Sequence, residues 1–184
     1  MNTIKIAVPL AEGFEEIEAV SIIDVLRRAD FDVIVFSIST KKEVTGSHSI
    51  KIIADRLFNE VDFSKTDMIV LPGGLPGATN LNEHTGLKEV ILDFNKRGKT
   101  LGAICAAPLV LGGLGILNNK NATCYPGFEN QLEGATTTGE EVELSDKIVT
   151  GKGAGVAIKF ALKIVETING KQFADELAKK MIAN

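Results

Sequence analysis

The sequence predicts an α/β fold in which a mostly parallel sheet is covered by helices on both faces. Segments with strand patterns alternate along the chain with segments of helical periodicity. The strand segments are continuously apolar, which is typical of strands buried on both faces. A cysteine, Cys105, lies between one such strand and the following helix, among small residues. No repeat or linker interrupts the pattern, so we expect a single domain over residues 1–184.

The first half of the chain contains one long helix between buried strands. Residues 4–10 are apolar and β-branched and are ended by Ala11-Glu12-Gly13, which predicts a buried strand. Residues 14–29 carry Ile17, Val20, Ile23, Val25 and Leu26 at helical spacing and close on Arg27-Arg28, which suit a helix C-terminus. Further strands are expected at 31–38 and 67–71, with short strands of a hairpin or side sheet at 44 and 50–53.

The second half repeats the alternation. It predicts strands at 100–104 and 147–150 and helices at 87–96, 106–112, 156–168 and about 172–182. The segment 121–144 is rich in Gly and Thr and favours neither structure. The glycines at 151–155 form neither GxxxxGK[ST] nor GxGxxG, so we expect them to pack the last strand against its helix rather than to bind a nucleotide.

Composition excludes several classes of function. The net charge of −4 without a basic block argues against a nucleic-acid partner, and no apolar run suffices for a membrane span. The N-terminal residues lack a signal-peptide pattern, which predicts a cytoplasmic protein with Cys105 and Cys124 reduced. Neither cysteine belongs to a CxxC pair, and His48 and His84 are far apart in sequence, so we expect no metal and no cofactor.

Three unusual stretches each follow a predicted strand. They are Glu12–Glu18, Pro72–Gly77 and Cys105–Pro108. In open parallel sheets, sites form beyond the carboxyl ends of the strands. A lone cysteine is often a buried core residue, but this convergence favours a functional Cys105 on a strand–turn–helix elbow of the kind that hydrolases use for serine.

The residues around this cysteine suggest how its thiol is activated. N–H groups at a helix start and a nearby acid would make Cys105 more acidic than a free thiol. Glu18 lies on or beside the apolar face of its helix, so it is either buried in a site or solvated at the helix edge. Glu15 and Glu16 suit the dipole of a helix start. Gly73-Gly74 offers two N–H donors to an oxyanion, or serves only as a tight turn.

Five segments together carry a family resemblance. They read EGFEEIE (12–18), VLRRA (25–29), IVLPGG (69–74), AICAAP (103–108) and KFALKIVETING (159–170). In this order and spacing they resemble the ThiJ/PfpI family, in the branch of the Parkinson-disease-associated protein and its bacterial relatives. The resemblance implies a flavodoxin-like α/β sandwich that forms a homodimer.

The resemblance also implies roles for individual residues. Cys105 is then the reactive cysteine on the elbow, and Glu18 is the acid hydrogen-bonded to it. The amides of Gly73, Gly74 and Ala106 form an oxyanion-binding pocket.

Arg28 and His48 fall where relatives place residues near the dimer interface, and Glu15 and Glu16 are further candidates for the pocket or the interface. Many relatives have arginine in place of His48, and some have histidine in place of Tyr125, close to the cysteine. Without that Cys–His pair, a cysteine protease is disfavoured. His84 is expected in an exposed loop and Cys124 in a structural position.

Two classes of function fit these residues. The first is a cofactor-independent glyoxalase or deglycase, in which Cys105 and Glu18 convert dicarbonyls such as methylglyoxal and glyoxal, or their early adducts on glycated proteins, to 2-hydroxy acids. The second is a non-enzymatic oxidative-stress sensor or redox-dependent chaperone that acts through oxidation of Cys105. A relic without turnover is a third possibility, and it predicts a thiol of ordinary reactivity.

Overall fold

The computed structural model describes residues 3–183 and contains eleven strands and six α-helices in that range. The strands are β1 (Lys5–Leu10), β2 (Asp32–Ser37), β3 (Glu43–Thr45), β4 (Lys51–Ile53), β5 (Arg56–Leu57), β6 (Met68–Leu71), β7 (Thr100–Ile104), β8 (Asn121–Ala122), β9 (Thr136–Thr137), β10 (Val142–Ser145) and β11 (Ile148–Gly151). The helices are α1 (Glu16–Arg28), α2 (Gly77–Glu83), α3 (Thr85–Lys96), α4 (Pro108–Gly113), α5 (Ala157–Asn169) and α6 (Lys171–Met181).

Seven strands form the central sheet in the order β10-β11-β7-β6-β1-β2-β5. Every pairing in it is parallel except β10 with β11, which is a hairpin. The five main parallel strands, β2-β1-β6-β7-β11, follow the order 2-1-3-4-5 of flavodoxin-like folds. The predicted fold class is therefore confirmed.

Helices cover both faces of the sheet and give the molecule two apolar cores. One core joins α1, α5 and α6 to one face and includes Ile22, Leu26, Phe160, Ile164 and Leu177. The other joins α2, α3 and α4 to the opposite face and includes Leu81, Ile91, Phe94 and Leu111. Within the described residues, no helix has both the length and the apolar character that a membrane span requires.

The rotation of α1 differs from the prediction. The apolar spacing placed Ile17 and Val20 on the buried face, but they are 60% and 50% exposed. Glu18 is fully buried instead, beside Ala19 and Ile22. The helix docks on the sheet through this second face, because it packs against both β1 and α5.

Five further elements, in three parts of the chain, were not predicted or begin elsewhere. Helix α2 is mostly polar and has no apolar stripe to reveal it. The unassigned segment 121–144 contains the parallel pair β8–β9 and the start of the edge strand β10. Helix α4 was expected from residue 106, but it begins at Pro108 and has six residues. The side hairpin was predicted and is formed by β3 and β4.

Candidate active site

Strands β1, β6 and β7 are neighbours in the sheet. The three unusual stretches follow the carboxyl ends of these strands and therefore lie side by side. Cys105 follows β7 directly and has a φ of 62°, in the left-handed region that non-glycine residues rarely occupy. Its N–H donates to the Gly151 carbonyl at 2.9 Å, and its carbonyl accepts the Tyr125 N–H at 2.8 Å. These two bonds hold the strained backbone of Cys105 at the end of β7.

Small neighbours are required around this turn. Ala106 and Ala107 are buried directly behind Cys105. A Cβ atom placed on Gly73 would lie 2.7 Å from Cys105 Cβ and 2.8 Å from Glu18 Oε2. Gly73 therefore lies where the cysteine and the glutamate meet, and the lack of a side chain there allows their approach.

Glu18 reaches this point from the first turn of α1. Its Oε2 accepts the Gly73 N–H at 2.8 Å, while its buried Oε1 has no partner of normal hydrogen-bond geometry among residues 3–183. Burial and the charge of Glu15 raise the pKa of Glu18, and the neighbouring Cys105 thiol and the hydrogen bond from the Gly73 N–H lower it, leaving a pKa of about 7. Glu18 is therefore a carboxyl group that exchanges a proton near neutral pH.

The start of α1 is tied to Gly73 by a second pair of bonds. The Glu15 N–H donates to the Gly73 carbonyl at 2.9 Å. The Glu15 side chain caps the helix by accepting the Glu18 N–H at 2.7 Å. Glu15 is thus a capping residue that orients Glu18, a role that its place next to the helix start could have indicated.

The acidity expected of Cys105 is not supported. Burial first, and then the charge and closeness of Glu18, raise the pKa of its thiol to about 12, although the N–H groups of Ala106 and Gly74 act in the lowering direction. Helix α4 starts three residues later and is short, so it stabilises a thiolate less than an adjoining helix start would. The thiol therefore needs a base beside it, and Glu18 is in place for that.

The predicted oxyanion pocket is corrected at one position. The N–H groups of Ala106 and Gly74 lower the pKa of the Cys105 thiol, and their role as oxyanion donors stays a prediction. The Gly73 N–H is already bonded to Glu18 and is not available to an oxyanion. This bond links residues 55 positions apart, so no local pattern indicates it.

Glu16 and His48 form a separate cluster beside the site. Glu16 is buried and accepts the His48 N–H at 2.6 Å, the Ile50 N–H at 3.3 Å and, at 2.9 Å, a bond with His48 Nδ1. Burial alone raises the pKa of Glu16, but these bonds outweigh it and lower the pKa to about 2. The same pairing raises the pKa of the exposed His48. Glu16 therefore anchors the loop between β3 and β4.

One set within residues 3–183 has the ligand types and spacing of a cation site. Atoms of Glu15, Glu16 and His48 lie within 4.8 Å of one another. His48 Nδ1 and Glu16 are hydrogen-bonded to each other, and Glu15 caps α1. Glu16 and His48 are therefore explained as an ion pair, and Glu15 is explained as a helix cap.

The remaining candidates are spread over the molecule. Arg28 pairs with Asp24 at 2.6 Å near the far end of α1, about 15 Å along the helix from Glu18. His84 lies in the one-residue connection between α2 and α3, half-buried rather than exposed, and its Nδ1 caps α3 by accepting the Leu87 N–H at 3.0 Å. Cys124 is buried and not in a disulfide, which fits a structural position.

Tyr125 lies next to the nucleophile through its backbone. Its side chain is 51% exposed, and its ring meets that of Phe128 edge-on, with centroids 6.5 Å apart. A Cβ atom on Gly153 would come within 3.4 Å of this ring. Sequence reasoning assigned the glycines at 151–155 to packing, which Gly151 confirms by its closeness to Ile104 and Phe160, but it missed that this loop also borders the cysteine.

Comparison with known proteins gives the same family throughout. The model of the DJ-1/PfpI family matches residues 4–167. Protein DJ-1 homolog B of Arabidopsis thaliana is 40% identical over 98% of this chain, and the chain spans 42% of that relative's length. A Caenorhabditis elegans protein named glutathione-independent glyoxalase DJR-1.2 is 35% identical over 92% of this chain and 91% of its own length. The oxidized form of Toxoplasma gondii DJ-1 superposes with a TM-score of 0.94 at 38% identity and covers 98% of each chain.

Proposed function

The chain belongs to the DJ-1/PfpI family, and on that premise we propose that it is a cysteine-dependent glyoxalase. Its substrates are small 2-oxoaldehydes such as methylglyoxal and glyoxal, and its products are the corresponding 2-hydroxy acids. The observation that carries the proposal is the buried Glu18 carboxyl, with a pKa of about 7, placed against Cys105 over a glycine. The similarity to a glyoxalase of Caenorhabditis elegans supports the same reaction.

The first step joins the thiol to the aldehyde. Glu18, as a carboxylate, takes the Cys105 proton while the sulfur forms a bond to the aldehyde carbon. The proton passes to the aldehyde oxygen, so the product is a neutral hemithioacetal and Glu18 is a carboxylate again. We assign the stabilisation of negative charge on that oxygen, as it develops, to the N–H groups of Ala106 and Gly74, which also lower the pKa of the thiol.

The second step moves hydrogen between the two carbons. Glu18 removes the proton on the former aldehyde carbon, which gives an enediolate, and returns it to the neighbouring ketone carbon. The hydroxyl proton of the former aldehyde carbon moves to the former ketone oxygen. The former aldehyde carbon is oxidised to a thioester, and the ketone carbon is reduced to an alcohol. Water then cleaves the thioester and regenerates the Cys105 thiol. One water is consumed per turnover, and no external oxidant or reductant is needed.

The test is lactate formation from methylglyoxal under multiple-turnover conditions. We expect many equivalents of lactate per wild-type chain and none above background from Cys105→Ala. Disappearance of the dicarbonyl is not a sufficient measure, because any thiol traps it reversibly.

Cys124→Ala is the matched control, because it removes the other thiol of the chain, which is buried. It should retain turnover. Wild-type protein that stops at one equivalent or less, or Cys105→Ala protein that continues to produce lactate, would contradict the proposal.

The same chemistry extends to early adducts of dicarbonyls on proteins. Such adducts are in equilibrium with the free dicarbonyl, so removal of the free form also reverses glycation. Deglycase activity on glycated protein is therefore a consequence of the proposed reaction. A reducing, cytoplasmic compartment suits an enzyme whose thiol must remain unoxidised.

A second candidate function is sensing of oxidants through Cys105. Its support is the partial exposure of Cys105 and the two N–H groups that could hold a sulfinate, together with a Toxoplasma gondii relative solved in oxidized form. The raised pKa of the thiol favours the enzyme instead, because the thiolate is the form that reacts with peroxide. Ready conversion of Cys105 to sulfinate without lactate production would support the sensor.

A further inference from the structure

A buried threonine of β11, Thr150, lies one residue before the backbone group that holds the nucleophile. That group is the Gly151 carbonyl, which accepts the Cys105 N–H at 2.9 Å. Thr150 Oγ1 accepts the Thr123 N–H, also at 2.9 Å, in a bond between residues 27 positions apart. The Thr150 hydroxyl therefore fixes the start of the segment 123–125 against β11.

The segment 123–125 is held at two further points. The Thr123 hydroxyl donates to the Glu140 carbonyl at 2.7 Å, and the Tyr125 N–H donates to the Cys105 carbonyl at 2.8 Å. Thr123 is itself buried, so loss of the Thr150 hydroxyl would take the acceptor from a buried N–H. Such an unpaired group is costly, and the cost favours movement of the segment.

Two adjacent residues of β11 thus hold both peptide groups of the cysteine. Gly151 holds the Cys105 N–H directly, and Thr150 holds the Cys105 carbonyl through the segment 123–125. The φ of 62° at Cys105 costs free energy, and it persists because the surrounding bonds determine it. Release of the carbonyl would let this backbone relax and would move the thiol relative to Glu18.

We propose that Thr150 is a positioning residue, whose hydroxyl keeps the Cys105 thiol aligned with Glu18 by anchoring the segment 123–125. The inference rests on the proposed function, because the alignment of the thiol with its base serves the reaction of the cysteine. Thr150 acts through Thr123 and Tyr125 rather than on the substrate.

The test compares lactate formation from methylglyoxal by the wild type, Thr150→Val and Thr150→Ser. Valine keeps the branched shape of the side chain but has no oxygen to accept the Thr123 N–H. We expect kcat to fall roughly 10- to 100-fold in Thr150→Val, with KM nearly unchanged, because a small misplacement of a reacting group costs about that factor. Thr150→Ser keeps the acceptor and should recover most of kcat.

Thr66→Val is the matched control. Thr66 is also buried, and its hydroxyl donates to the Asp62 carbonyl at 3.2 Å. It lies before β6, at the opposite end of the parallel strands from Cys105. Thr66→Val loses one side-chain hydrogen bond, as Thr150→Val does, but should keep kcat. Equal kcat in these two variants would leave Thr150 with a merely structural role and would contradict the proposal.

Hydrogen exchange tests the anchoring without turnover. In Thr150→Val the Tyr125 amide should exchange faster than in the wild type, because its bond to the Cys105 carbonyl opens more often. The amides of β6 should keep their protection, and Thr150→Ser should restore the slow exchange of Tyr125. A Tyr125 amide that exchanges equally in the wild type and Thr150→Val would show that the hydroxyl does not anchor the segment.

The outcomes separate this inference from the proposed function. If the wild type forms lactate and Thr150→Val retains full kcat, the positioning role fails and the glyoxalase stands. If the wild type forms no lactate, the glyoxalase fails, and hydrogen exchange together with alkylation of Cys105 decides the positioning role.

Alkylation by iodoacetamide reports on the thiol itself. A sulfur–carbon bond forms from the thiolate as iodide leaves, and mass spectrometry of the Cys105 peptide gives the rate. At one mildly alkaline pH we expect faster alkylation in Thr150→Val than in the wild type, because a displaced thiol leaves the burial and the Glu18 charge that raise its pKa to about 12. An equal or slower rate in Thr150→Val would overturn the proposal.

Discussion

At the scale of single residues, the protons of Cys105 and Glu18 decide what this site can do. The two groups meet over Gly73, and the charge of Glu18 raises the pKa of the Cys105 thiol. Glu18, with a pKa of about 7, loses its proton well before Cys105, whose pKa is about 12. Above neutral pH the glutamate is thus the base of the pair and the thiol is the acid.

Replacement of Glu18 tests this assignment. We expect Glu18→Gln to fold but to lose lactate formation by 100-fold or more, because an amide can neither take the thiol proton nor carry it between carbons. In the wild type, kcat/KM should rise as pH increases through about 7, because the base must be ionised in the free enzyme. The residual activity of Glu18→Gln should not show this rise of kcat/KM with pH. A wild-type rate that is flat from pH 5 to 9 would assign the acid–base role to another group.

At the scale of elements, the site depends on close contact between the loop after β6, the elbow after β7 and the first turn of α1. Gly73 is bonded to α1 through both its N–H and its carbonyl, and it touches the elbow on its other side. The register of β6 and β7, in which Leu71 is paired with Ala103, brings the two loops to the same level.

A methyl group at Gly73 should separate these elements. In Gly73→Ala the new Cβ meets Cys105 Cβ, Glu18 Oε2 and the Ile104 carbonyl within 2.8 Å, and the backbone among these cannot swing aside. We expect kcat/KM to fall at least tenfold and the free energy of unfolding to fall by about 1–3 kcal/mol, as for an overpacked core. Gly155→Ala is the control, since no atom lies within 4 Å of its added Cβ. Equal activity in the two variants would show that the contact is not needed.

The loop between β3 and β4 should respond to pH through Glu16 and His48. The lowered pKa of Glu16 means that its bonds stabilise the fold above pH 4.5 and are lost as pH falls towards about 2. The raised pKa of His48 means that its ion pair stabilises below pH 6.5 and is lost as pH rises through the folded value, which lies above 6.5. The wild type should therefore exceed His48→Asn in Tm most between these limits, at pH 4.5–6.5.

The difference in Tm between the wild type and His48→Asn should decrease above pH 7. In a Glu16→Gln background, His48→Asn should have little further effect, because the partner is gone. A Tm difference that does not change with pH would show that His48 acts without its charge.

At the scale of the whole molecule, an exposed apolar surface connects α1 to the side hairpin. Its main residues are Ile17, Val20, Ile50 and Ile53, of which Ile53 is 76% exposed, and we call it the α1–hairpin face. Val20 and Ile53 line one shallow depression of about 250 Å³ there. Soluble proteins seldom leave such apolar side chains together in water without a partner. We propose that a second copy of the chain covers this face, as the family resemblance leads us to expect.

Light scattering at micromolar concentration tests the homodimer. We expect about twice the chain mass of 19.6 kDa for the wild type and the single-chain mass for Val20→Lys, because the new charge would be buried in the interface. Ile158→Lys, at another exposed apolar position on α5, should remain dimeric. A wild type of single-chain mass would contradict the proposal.

Local patterns were enough to predict the five main parallel strands, the side hairpin and the turn that carries Cys105, but not the short strands β5, β8 and β9 or the edge strand β10. Residues 100–104 were predicted as a strand with the bounds that β7 has, since an apolar run ended by small residues leaves few alternatives. The periodicity of α1 showed a helix but not its rotation, because the side that faces the sheet is set by packing against α5. Three features depend on contacts between distant segments, which local patterns do not show. They are the hydrogen bond from the Gly73 N–H to Glu18, the raised pKa of the Cys105 thiol and the position of the α1–hairpin face.

Tyr125 determines the intrinsic fluorescence of the protein. The chain contains a single tyrosine and no tryptophan, so its intrinsic ultraviolet emission comes almost entirely from that one ring. The ring belongs to the residue that is bonded to the Cys105 carbonyl. We expect a carbonyl compound joined to the sulfur, or a sulfinate in its place, to change this emission. Stopped-flow fluorescence of the unlabelled protein should therefore follow the chemical state of Cys105 in real time.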